Sequence, residues 1–301
     1  MTEQEFNKRL LGIDRELAQR RIPTIVRSVP AWFHFTGARV LHSAPTDPNL
    51  GPYDGPNLIG SIGAWYKRFY PQQSVIGPWG KRLLIIQGEV FRLSVPTIFN
   101  PSTRIEARDH IEEMSDDLWA ALQEGERNAI QSKFDVFFRQ TSDIQLCIAI
   151  CAIGSRRTVA GDLLLRGSTD LRRCCDGFDA CFPTAILFDA QQATEKFLKA
   201  VLAHNEPNLI DADLRKIYGH RLPKLLAACA VIDDHFRQIE PYIDALDFSA
   251  DVRYRDMALP VGDAVYRIDL SHSICHLAAR RLINTERPGG PHRVAMGGAK
   301  R

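Results

Sequence analysis

In residues 190–202, AQQATEKFLKAVL, Ala193, Phe197 and Val201 recur at four-residue steps with Leu198 and Leu202 beside them. That period predicts an amphipathic helix with one apolar stripe turned inward, leaving Gln192, Glu195, Lys196 and Lys199 for the other faces. Glu195 and Lys199 stand four apart with the acid first, so they read as a surface pair worth a few tenths of a kcal/mol. Helical periodicity also predicts helices over residues 3–20 and from Ser102 into STRIEARDHIEEMSDDLWAAL, continuing after Gly125 through EGERNAIQSKFDVFFRQ. Four more are predicted, over about 159–176, 183–204, 220–234 and 262–284.

Between about 22 and 102 the pattern changes to Pro, Gly and aromatic residues, and PTDPNLGPYDGP is a nearly continuous run of turn formers. KRLLIIQGEVFRLSVPTIF then reads as two strands with a turn near Gly88. GSRRTVAG, at 154–161, interrupts the apolar pattern. The expected fold class is α+β: a mixed α/β domain over 1–155, an all-α up-and-down four-helix bundle over 156–285, and a disordered Gly-rich basic tail over 286–301.

Composition changes this picture little. The 301 residues are 45% hydrophobic and 25% charged with a net charge of +2, so bulk charge does not mark a polyanion binder. The basic residues are 29 Arg and 9 Lys, a bias that suits phosphate contacts and genome composition equally. Seven cysteines, an odd number lying mostly in apolar helical stretches, suggest reduced thiols and a cytoplasmic protein. Neither a signal core nor a membrane-length apolar run is present, so no membrane partner is expected. GPNLIGSIG lacks the Lys-Ser/Thr ending of a phosphate loop, and no cofactor is implied.

Four pieces in order, DLLLRGSTDLRR, FDAQQATEKFLKAVL, YGHRLPKLL and DVRYRD ahead of a last helix, resemble the HEPN domain family over about 160–284. The resemblance implies a helical bundle that forms a homodimer and associates with a nucleotide or RNA. It further implies a setting in a microbial defence or stress system, with a partner protein or antitoxin. On this reading Ala193, Phe197 and Leu198 hold the bundle together, Gln192, Glu195 and Lys199 form a polar face near the groove, and Arg253 and Arg255 take the anion-facing position.

Catalytic members of that family carry an Arg followed within a few residues by a His, the Arg holding phosphate and the His moving a proton. The match within the last helix is Arg267 to His272, in RIDLSH. Loose spacing gives further matches, including Arg215 to His220, so the pattern alone selects nothing. Residues five apart on a straight helix point about 140° away from each other, so Arg267 and His272 need a second chain to meet on one phosphate. Asp269, His272 and His276 share a helix face, read as polar packing before a metal site. His220 reads as a local helix cap. PAWFHFTG and GAWYKRFYP read as core before base-stacking surfaces. Three functions stay open: a nucleotide- or RNA-binding module, a metal-independent endoribonuclease using Arg267 and His272, and a structural dimerisation protein.

Overall fold

The computed structural model describes residues 1–20, 27–36, 49–70, 80–95, 105–153, 158–181, 186–247 and 259–286. Described residues are mostly helical, with one two-stranded sheet. Contacts divide the chain into two units, residues 1–79 with 95–110, and residues 80–94 with 111–301.

The first unit carries α1 (Glu3–Gln19), α2 (Ser28–Thr36) and α3 (Leu58–Phe69). Thr2 and Glu5 close a capping box on α1, which satisfies two of the amides that a helix start leaves open. Trp32, Phe33 and Phe35 of α2 and Trp65 and Tyr66 of α3 are buried, so the aromatic segments are core. Among them the buried Asp14 carboxylate accepts from Arg27 Nη1 at 3.1 Å and from the Tyr70 hydroxyl. A charge-assisted node of this kind offsets the cost of enclosing the carboxylate.

In the second unit, β1 (Gly80–Ile86) and β2 (Glu89–Val95) form a hairpin. Gln87 and Gly88 both take positive φ, +50° and +89°, as the two-residue turn that fits strand twist requires. The helix expected from Ser102 is not continuous. Ala107–His110 is a 3-10 turn, Ile111 bridges to Leu93, and Glu113 takes a positive φ before Ser115 caps the short α4 (Asp116–Ala121). Helices α5 (Glu124–Ile153), α6 (Val159–Asp176), α7 (Leu187–Asn205), α8 (Asp211–Tyr218), α9 (Leu222–Ile232) and α10 (Val261–Glu286) follow, with a 3-10 segment at Asp234–Ala245.

The boundary expected at 155, and with it the mixed α/β domain over 1–155, does not match where the contacts divide. Ile144, Cys147 and Ile148 of α5 and Leu83 of β1 lie in one core with α6, α7, α9 and α10. Arg92 of β2 reinforces this by donating to the carbonyls of Cys175 (3.1 Å) and Phe178 (2.9 Å), at and just beyond the end of α6. Arg253, Arg255 and the tail from 287 on lie outside the described residues.

Helix α7 packs against α6, α9 and α10. Gly167 allows the close approach of α6, because a Cβ there would meet the Phe197 ring at 2.8 Å. On the other side Thr194 and Ser271 share a 2.9 Å hydrogen bond between α7 and α10. Enclosed by three neighbours, α7 buries residues on nearly all its faces, Glu195 and Lys199 included. No helix among the described residues is long and apolar enough to cross a membrane, and all seven cysteines are free thiols.

Candidate functional site

Glu195 and Lys199 are not a surface pair. Lys199 Nζ lies 2.6 Å from Glu195 Oε1, and the two side chains are 3% and 5% exposed. Gln192, half-buried one turn earlier, donates to Glu195 Oε2 at 3.2 Å. The same carboxylate receives His220, whose Nδ1 is 2.9 Å from Oε2 and 3.1 Å from Oε1. Gly219, at φ +62°, turns the chain between α8 and α9 and delivers the imidazole to α7. His220 therefore clasps two helices; it makes no side-chain cap on α9, as the sequence had suggested.

The network continues toward solvent. Asp211, at the start of α8, accepts from Arg215 Nη2 at 2.7 Å and lies 3.7 Å from Arg166 Nη2 of α6. Partial burial pushes the Asp211 carboxyl up, but the hydrogen bond and charge of Arg215, with the charges of Arg166 and Lys199, outweigh it and hold the group below its ordinary value. The arrangement is a buried Glu195–Lys199 pair under an exposed rim of His220, Arg215 and Arg166, whose side chains are 72%, 62% and 49% exposed. Counting Lys199, Arg166 and Arg215 against Glu195 and Asp211, the cluster carries one net positive charge with His220 neutral. Arg166 and Asp211 were not singled out from sequence, and Arg215 appeared only as one of the loose Arg–His matches, with His220. The four-residue Asp211–Arg215 spacing was the available signal, and only the fold joins it to α7.

Arg267 and His272 do not converge within the chain. Arg267 Nη1 donates to the Ala245 carbonyl at 2.9 Å. His272 is enclosed on the other side of α10, its Nε2 3.7 Å from Cys175 Sγ. Beside it sits Arg82, wholly buried, with Nη2 donating to Gln140 at 2.9 Å and the guanidinium 5.0 Å above the Phe137 ring. Arg82 Nε and Nη1 and Asp269 Oδ1 have no hydrogen-bond partner among the described residues. Burial pulls Arg82 down to about 10, against the attraction of Asp269, so it stays cationic at neutral pH. Burial likewise drives the Cys175 thiol up to about 12, leaving it protonated and unreactive. His276 faces Asp143 at 2.8 Å. Among the described residues no three His, Cys, Asp or Glu side chains are placed to hold a metal ion.

This interior has a definite pH signature. Burial, and then the charge of Arg82, hold His272 well below the ordinary imidazole range, so the folded state keeps it neutral. Stability from this residue is present above the unfolded pKa of about 6.5 and is lost below it, by at most about 1.4 kcal/mol per pH unit. Asp269 has the opposite sign: burial raises it to about 6, so its contribution is present at low pH and is lost as pH rises through about 6. Denaturant midpoints measured from pH 8 to 4.5 should show His272→Gln gaining on the parent protein below pH 6.5. Asp269→Asn should gain on it as pH rises from 4.5 to about 6 and hold a constant difference above that.

No family model, curated protein or solved structure matches this chain.

Proposed function

We propose that the chain is an HEPN-like, nucleotide- or RNA-binding protein whose phosphate-recognising surface is the rim of His220, Arg215 and Arg166 above Glu195 and Lys199. The observation carrying this reading is that the buried Glu195–Lys199 pair holds His220 at the surface while the charge of Lys199 also acts on Asp211, which pairs with Arg215 and Arg166. Enclosing an ion pair costs desolvation energy that well-packed apolar side chains would avoid. Its consequence here is an imidazole held at the surface, with the guanidinium groups of Arg215 and Arg166, suited to phosphate oxygens, gathered on Asp211. Cleavage through Arg267 and His272 finds no such support, because the two side chains serve different neighbours and His272 is shut away from solvent. The HEPN resemblance supplies the rest of the reading: a homodimer acting beside a partner protein in a microbial defence or stress system.

Fluorescence anisotropy with a short single-stranded ribo-oligonucleotide, and calorimetry with AMP, test the proposal. Arg215→Ala should weaken binding and lower the salt dependence by about one phosphate contact. His272→Gln should leave affinity unchanged at pH 7.5. Binding that is insensitive to Arg215 and abolished by His272→Gln would move the site to α10.

A further inference from the structure

Resting on the reading that this surface binds nucleotide or RNA, we infer that His220 distinguishes ribose from deoxyribose by accepting a hydrogen bond from the ligand's 2′-hydroxyl through Nε2. Glu195 presents both carboxylate oxygens to His220 Nδ1, at 2.9 and 3.1 Å. A carboxylate only accepts, so the single proton of the neutral ring sits on Nδ1. Lys199 at 2.6 Å and Gln192 at 3.2 Å hold the carboxylate in place, the arrangement by which an acidic residue fixes a histidine tautomer elsewhere.

The other nitrogen is then a lone-pair acceptor. His220 is 72% exposed, and its hydrogen bonds among the described residues run through Nδ1. An acceptor cannot bind a phosphate oxygen, which is itself an acceptor. Phosphate therefore falls to Arg215 and Arg166, which only donate, and Nε2 calls for a donor on the same ligand. In nucleotides the hydroxyl that separates the ribo from the deoxyribo series is such a donor. The other exposed histidine–carboxylate contact differs in kind. His235 and Asp233 are two residues apart, and Asp233 Oδ1 also accepts the His235 backbone amide, so the imidazole there belongs to a local turn, even though Asp233 Oδ2 lies 3.7 Å from the buried Arg281 Nε.

The test uses the full chain at pH 8. Anisotropy compares a single-stranded ribo-oligonucleotide with its 2′-deoxy counterpart, and calorimetry compares AMP with 2′-deoxy-AMP, so polymer and free nucleotide are read separately. One net hydrogen bond predicts about a five- to tenfold ribo preference in whichever pair binds. His220→Ala, at an exposed position, should erase the preference while deoxy binding persists. Glu195→Gln can offer the ring either its carbonyl oxygen or its N–H, and the imidazole ¹⁵N shifts read which: a proton moved to Nε2 should erase the preference and one kept on Nδ1 should preserve it; if that variant does not fold, His220→Ala decides. Equal ribo and deoxy binding by the parent protein, or a preference that survives His220→Ala, overturns the inference and leaves the phosphate reading intact. Binding of neither series overturns both.

Discussion

Lys199→Ala is expected to cost about 3 to 5 kcal/mol of folding stability, because it strands the Glu195 carboxylate in the interior. The side chains are 3% and 5% exposed and 2.6 Å apart, so water cannot replace the lost ammonium as it does at a surface pair. Glu195→Leu/Lys199→Met tests the cause. Removing both charges together leaves apolar side chains of similar bulk, and the double variant should recover most of the loss while abolishing the hold on His220. Urea denaturation of the parent protein, Lys199→Ala and the double variant provides the measurement. A single-variant loss within about 0.5 kcal/mol, the range of an ordinary surface change, would mean that the pair is solvated.

Phe197→Ala should cost a similar amount, about 3 to 5 kcal/mol, for a different reason. Its ring is fully enclosed and fills the approach of α6 to α7 over Gly167, so truncation leaves a cavity between the two helices. Because the two helices meet through a glycine, little can collapse into the space. Thermal unfolding should show the loss without any change in helical signal below the transition. A Phe197→Leu variant, which keeps part of the volume, should fall between alanine and the parent protein.

The two expectations also show what the sequence could reveal. The α7 period put Phe197 inside correctly, since a stripe of Ala193, Phe197 and Val201 depends only on local spacing. The same period put Lys199 outside, and failed because a helix packed on three sides has little outside left. Nothing near Lys199 in the chain signals this; His220 is 25 residues from Glu195, and Asp211 belongs to another helix. The hairpin was legible because Gln87–Gly88 is a local turn signal, whereas its membership in the helical unit depends on Arg92 reaching the end of α6, more than eighty residues away. The break at GSRRTVAG was likewise read as a domain boundary, although α5 before it shares the core of α6 after it. His220 appeared as a local cap because its carboxylate partner cannot be inferred from spacing along one helix.

The central claim is that ligand recognition belongs to His220 and its buried supports and not to His272. The most direct measurement is the imidazole ¹H–¹⁵N spectrum of histidine-labelled full-length protein during titration with AMP and with a single-stranded ribo-oligonucleotide, signals being assigned with His220→Ala and His272→Gln. The account predicts saturable movement of the His220 signals while those of His272, enclosed beside Arg82 and Cys175, stay in place. Movement of His272 with His220 unchanged would contradict it.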